Sequence, residues 1–120
     1  MIEKVNLKQK LGLIRDHWNP RIAGEVNDSY VKLVKLQGSF EWHHHDNEDE
    51  MFLVVEGRFT IKLKEGDVNV EEGEFVIIPK GTDHCPVAEH EVSVLLVEPK
   101  STLNTGNLRN EKTKERLERI

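Results

Sequence analysis

A single cysteine, Cys85, in 120 residues leaves no intramolecular disulfide to form. A domain of this size buries roughly two-thirds of its unfolded surface, so its core can hold it without such staples. Long apolar runs are also missing. The longest, such as residues 51–55, are five residues, against the ~20 that a bilayer-crossing helix requires. The N-terminal MIEKVNLKQK carries charge from its third residue and lacks the apolar stretch and cleavage site of a secretory leader. A cytoplasmic, soluble and complete chain is therefore expected. Positive charge is in deficit: 17 Lys and Arg stand against 22 Asp and Glu, a net charge of −5. That field repels a phosphate backbone, so nucleic acid is not an expected partner. Neither an internal repeat nor a low-complexity tract is present, and one domain is expected.

What the chain does have is a series of short β-prone runs, at residues 30–36, 40–45, 51–55, 58–64, 68–70, 75–78 and 92–97. Turn residues bound them, among them Gln37-Gly38-Ser39, Glu56-Gly57, Glu65-Gly66-Asp67 and Pro79-Lys80-Gly81. Within the runs the period is two. Phe59, Ile61 and Leu63 alternate with polar residues, and Val92, Val94 and Leu96 repeat the pattern, so each strand buries one face. Many short strands, Gly-rich turns and no central helix predict an all-β barrel or jelly roll. Ahead of it, residues 1–29 read as an N-terminal arm with a short helix at residues 6–11, capped by Asn6 and ended by Gly12. His17-Trp18-Asn19-Pro20 reads as a loop. Behind the barrel, assigned to residues 30–106, residues 107–120 read as a charged C-terminal helix or tail, with the helix over residues 111–120.

Six histidines stand out, three of them consecutive at His43, His44 and His45. If residues 40–45 form a strand, alternation turns His43 and His45 to one face and His44, Trp42 and Phe40 to the other. A short acidic turn then lets Glu50 return beside them, and the segment ending at His84 can supply a third imidazole. Imidazoles with one carboxylate make a site for a borderline divalent ion such as Fe, Mn, Ni, Zn or Cu.

The run Gly38, His43, His45, Glu50, Gly57 resembles the first motif of the cupin superfamily: a Gly, HxH, a Glu after four residues and a Gly after six more. Gly73, Pro79, Gly81 and His84 resemble the second motif, separated from the first by fifteen residues, 58–72. Where that motif usually continues to Asn, this chain has Ala88, outside the ligand positions. The resemblance covers residues 30–98, and the flanks, including Glu98-Pro99 and Asn104-Thr105-Gly106, are similar to those of small bacterial cupins. It implies a double-stranded β-helix with a divalent metal ion inside, held by His43, His45, Glu50 and His84. It also implies a homodimer.

Such a ligand set leaves coordination positions open, so two readings follow. One is a metalloenzyme acting on a small polar or anionic substrate, a dioxygenase-type oxidoreductase or an isomerase, with Glu50 also moving a proton. The other is a non-catalytic small-molecule or sugar module with a clamping or structural metal. A phosphosugar isomerase needs cations in its pocket. Arg58, Lys62 and Lys64 lie opposite the apolar face of their strand and no other cation is read as inward, which favours the oxidoreductase. Glu41 reads as a charge-pair partner or a pocket contact, Cys85 as an inert thiol, Trp42 and Phe52 as core, and His17 and His90 as loop residues without a role.

Overall fold

The computed structural model describes residues 2–120. The Asn6 side chain accepts a hydrogen bond from the Gln9 backbone N–H at 2.9 Å, capping a short helix, α1 (Leu7–Leu11), which ends at Gly12 as its sequence predicts. Seven strands follow: β1 (Arg21–Val26), β2 (Ser29–Ser39), β3 (Glu50–Glu56), β4 (Arg58–Leu63), β5 (Val68–Glu71), β6 (Phe75–Ile78) and β7 (His84–Pro99). The strands pair antiparallel in the order β1-β2-β7-β3-β6, and β4 joins both β7 and β5. β7 is the shared spine. Its first residues pair with β4, its later ones with β3, and β2 runs beside both halves.

Alternation decides what faces in. On β3, Glu50, Phe52 and Val54 are buried while Met51, Leu53 and Val55 lie on the outer side. Phe59 and Ile61 of β4, Val34 and Leu36 of β2, and Val92, Val94 and Leu96 of β7 complete one interior cluster. A second, smaller cluster forms outside the sheet, where Leu11 and Ile14 cover Leu33.

Three expectations are corrected. Residues 40–45 do not form a strand. The β2 ladder ends at Ser39, just after Gly38 at φ +85°, and only His43 makes a further bridge, to His84. Trp42 is consequently 46% exposed rather than core, whereas Phe52 is buried. The C-terminal helix is also absent. Residues 111–120 form an irregular strap along the outer edge of β1, where the Ile22 N–H donates to the Glu118 carbonyl (2.8 Å) and the Ile120 N–H to the Ile22 carbonyl (3.0 Å). With little apolar surface to bury, the strap satisfies its backbone on an open sheet edge instead, and Ile120 packs on the outer cluster. The Asn104 side chain holds its start, donating to the Lys112 carbonyl and accepting from the Lys114 N–H. The arm itself contains β1, which folds back on β2 through Asn27 and Asp28, with Asn27 at φ +51°.

Ile61 is fully buried in the interior cluster. Ile61→Ala should lower unfolding free energy by about 2–5 kcal/mol in urea titrations, whereas Trp42→Ala should change it by roughly 0.5 kcal/mol or less.

Candidate metal centre

Two reciprocal backbone hydrogen bonds build the site. The His43 N–H donates to the His84 carbonyl (3.0 Å) and the His84 N–H donates to the His43 carbonyl (2.9 Å). The pair sets the His43 and His84 rings 4.4 Å apart, and His45 lies 5.2 and 5.7 Å from them between ring centres. One donor nitrogen from each of the three buried imidazoles falls within 4.8 Å of the others. β3 brings Glu50, also buried, so that its Oε1 lies 3.4 Å from His45 Nε2 and 3.5 Å from His84 Nε2. His44 points away, between Asp83 and Asp46.

A backing loop holds the histidine run in place. The Asn107 N–H donates to the His44 carbonyl and the His44 N–H donates to the Asn107 side chain, both at 2.9 Å. Gly106, at φ +58°, lies so close that a side chain there would overlap the His44 carbonyl.

The residues fit a divalent cation because of what they leave unmet. Both ring nitrogens of His45, Nε2 of His84 and Oε1 of Glu50 are buried without a hydrogen-bond partner. Each such group left bare costs about 1–3 kcal/mol. The carbonyls of Glu41 and Thr82 can only accept, so Nδ1 of His43 and of His84 must carry the proton in those 2.8 and 2.9 Å contacts. The Nε2 lone pairs are thereby left free to bind an ion. Burial pushes the His43 imidazole down to about 4, so it is neutral at physiological pH. Burial alone would raise the Glu50 carboxyl, but the facing His45, His84 and Glu98 hold it well below the usual range.

The pocket in front of these groups is narrow, about 40 Å³. Trp18, Phe40 and Phe52 give it apolar walls, and His43, Glu50 and Glu98 give it polar ones. Trp18 stacks on Phe40 with ring centres 4.8 Å apart, and its indole N–H donates to the Gln37 carbonyl.

Behind the pocket lies a pair that corrects the expectation of no inward cation. Lys32 and Glu98 are each 2% exposed and meet at 2.9 Å. Burial and the adjoining Glu50 push the Glu98 carboxyl well above its usual range, with Lys32 opposing. The signal was present in the alternation: Lys32 shares parity with the inward Val34 and Leu36, and Glu98 with Leu96 and Val94. Glu41 is half-exposed and pairs with Lys112 at 3.2 Å, although its carbonyl orients His43. Cys85 is buried, which raises its thiol pKa. His17 pairs with Glu91 near the surface, and His90 is exposed.

An antiparallel β barrel with three converging imidazoles that could hold a metal defines a class of small barrel proteins. The chain belongs to the cupin domain family, whose model matches residues 30–98. The solved structure of a cupin-2 domain protein from Shewanella frigidimarina is 40% identical and superposes with a TM-score of 0.79, covering 80% of this chain and 94% of that one. Uncharacterized protein YdbB of Bacillus subtilis is 43% identical over 61 residues, 50% of this chain and 54% of its own. An acireductone dioxygenase of a Sulfurihydrogenibium species is 30% identical over 86 residues, 68% of this chain and 45% of its own. The chain thus spans about half the length of the curated relatives it matches.

Removing one member of the buried ion pair strands the other. Lys32→Met should destabilise the protein by about 3–5 kcal/mol in denaturant titrations, and Lys32→Met combined with Glu98→Leu should recover most of that loss.

Proposed function

We propose that this chain is a metal-dependent oxidoreductase of dioxygenase type, acting on a small polar or anionic substrate, with His43, His45, His84 and Glu50 as the metal ligands. The observation that carries the reading is the convergence of one ring nitrogen from each of His43, His45 and His84, with buried nitrogens of His45 and His84 and the Glu50 oxygen left without partners. A bound divalent ion supplies Lewis acidity and an open coordination position beside the substrate. The chain's own residues supply the rest. Trp18, Phe40 and Phe52 exclude water and fit a compact ligand. Glu50, whose Oε1 is buried at the wall of the pocket without a hydrogen-bond partner, takes up a substrate proton there.

The similarity to an acireductone dioxygenase supports oxygen chemistry over isomerisation. So does the pocket lining, which contains no Lys or Arg to hold a sugar phosphate, the charge of Lys32 being taken by Glu98. A second reading, a binding module with a clamping metal, is favoured by the small pocket volume. The reading includes a homodimer, supported by an outward row in which exposed Phe75 and Ile77 stand beside Leu53 and Met51. Such a row on a sheet face suits a second copy of the same face about a two-fold axis.

Protein expressed with Fe, Mn, Ni and Zn supplied should carry stoichiometric metal by elemental analysis. His84→Ala should lose it while keeping the β circular dichroism spectrum. Metal-free protein under all four conditions would overturn the assignment. With an enediol or catechol probe, oxygen uptake by the loaded protein supports the enzyme, and binding without turnover in air supports the module. Light scattering should give a dimer that Phe75→Lys with Ile77→Lys converts to a monomer.

A further inference from the structure

We propose a second ligand site, for a small phosphate-type dianion, between the C-terminal strap and the turn at residues 100–103. It is separate from the histidine pocket and does not depend on the function proposed for it. An open pocket of about 410 Å³ lies there, ten times the volume of the histidine pocket. Five cationic side chains line it, Lys32, Lys100, Lys114, Arg116 and Arg119, against one carboxylate, Glu115. In a chain of net charge −5 this is a local reversal of sign.

The positive charge is only partly cancelled by its surroundings, Lys32 alone having a carboxylate to itself, that of Glu98. Lys100 and Arg119 share a single carboxylate, that of Glu25, at 2.8 and 2.9 Å. Glu115 is already engaged by Arg109 at 2.7 Å. Among the described residues, Lys114 and Arg116 have no carboxylate partner. The cations are also held rather than splayed. Lys32, Lys100 and Arg119 all lie within 6 Å of the Tyr30 ring centre, at 5.9, 5.4 and 5.5 Å. The backbone carrying Lys114, Arg116 and Arg119 is fixed at both ends, by Asn104 at one and by the Ile22 bridge at the other.

An independent observation points to a ligand. Thr102, at the pocket wall and 8% exposed, has a buried Oγ1 with no hydrogen-bond partner. A hydroxyl donor in the wall of a pocket that also carries unpaired ammonium and guanidinium groups is the chemistry that recognises phosphate oxygens. The strap also accounts for a local conflict. Its composition is that of a charged helix, yet its course is irregular, and that course places its cations along one wall.

The site should be tested with inorganic phosphate and with phenyl phosphate, titrated into the metal-loaded protein while backbone amide resonances are followed. Saturable shifts at Thr102 and residues 114–119 are expected, weakening with salt. Lys114→Ala with Arg116→Ala changes exposed side chains only. It should weaken affinity by about tenfold or more while leaving metal content unchanged, and Thr102→Val should weaken it a few-fold. Tighter binding of phenyl phosphate than of phosphate would assign the site to an ester, and the reverse to the free ion. Unsaturable shifts, an affinity untouched by the double substitution, or saturation only by a DNA duplex would overturn the proposal.

Discussion

The pair of backbone hydrogen bonds between His43 and His84 is the contact on which the rest of the centre depends. Residues 40–45 have no strand ladder of their own, and besides this pair the segment is tied to β7 by the Phe40 N–H donating to the Pro86 carbonyl at 3.0 Å. Fixing His43 to His84 brings histidines of the two motifs, 41 positions apart in sequence, into one ring cluster. The loop carrying Gly106 and Asn107 then presses the chain against the barrel from outside, its own backbone bonded to His44. His44 thus contributes through its main chain, while its side chain turns to Asp83 and Asp46.

The strands were legible because their burial has one cause. Phe59 and Ile61, or Val92, Val94 and Leu96, face a single interior, and the period of two records it directly. The histidines were legible through spacing, but the physical reason read from the sequence was incomplete. Alternation along a strand was expected to turn His43 and His45 inward, whereas a bridge to β7 and a backing loop hold them there. β1 is not legible in the sequence because Arg21–Val26 mixes Arg, Ala, Gly and Glu and lies at a sheet edge, where one face of pairing is enough. The strap at residues 111–120 is not legible either, because helical composition says nothing of a free edge waiting on β1. That edge wins, since an isolated ten-residue helix is marginal in water.

Lys32 and Glu98 were hidden for a different reason. Each sits in an apolar, inward parity row, and a charged residue in such a row reads as an exception until its partner is found. Lys32 pairs with Leu96 and Tyr30 with Glu98 across β2 and β7, so the two charges are diagonal neighbours on the same face. The two pockets share this pair as a wall: Lys32 lines the cationic one and Glu98 the histidine one.

A buried ion pair is a poor source of stability, because desolvation of both charges offsets most of their attraction. Its effect here is electrostatic. Glu98 faces Glu50, so the barrel interior holds two carboxylates and one ammonium around three imidazoles. With both acids ionised, that interior carries one uncompensated negative charge, which burial opposes by raising the Glu98 carboxyl. A divalent cation among the imidazoles would reverse the balance to one positive charge and would favour both acids as anions. Lys32 holds Glu98 at 2.9 Å, to the side of the imidazole cluster. The net negative charge that is costly to bury without an ion is thus what would favour a divalent cation among the imidazoles.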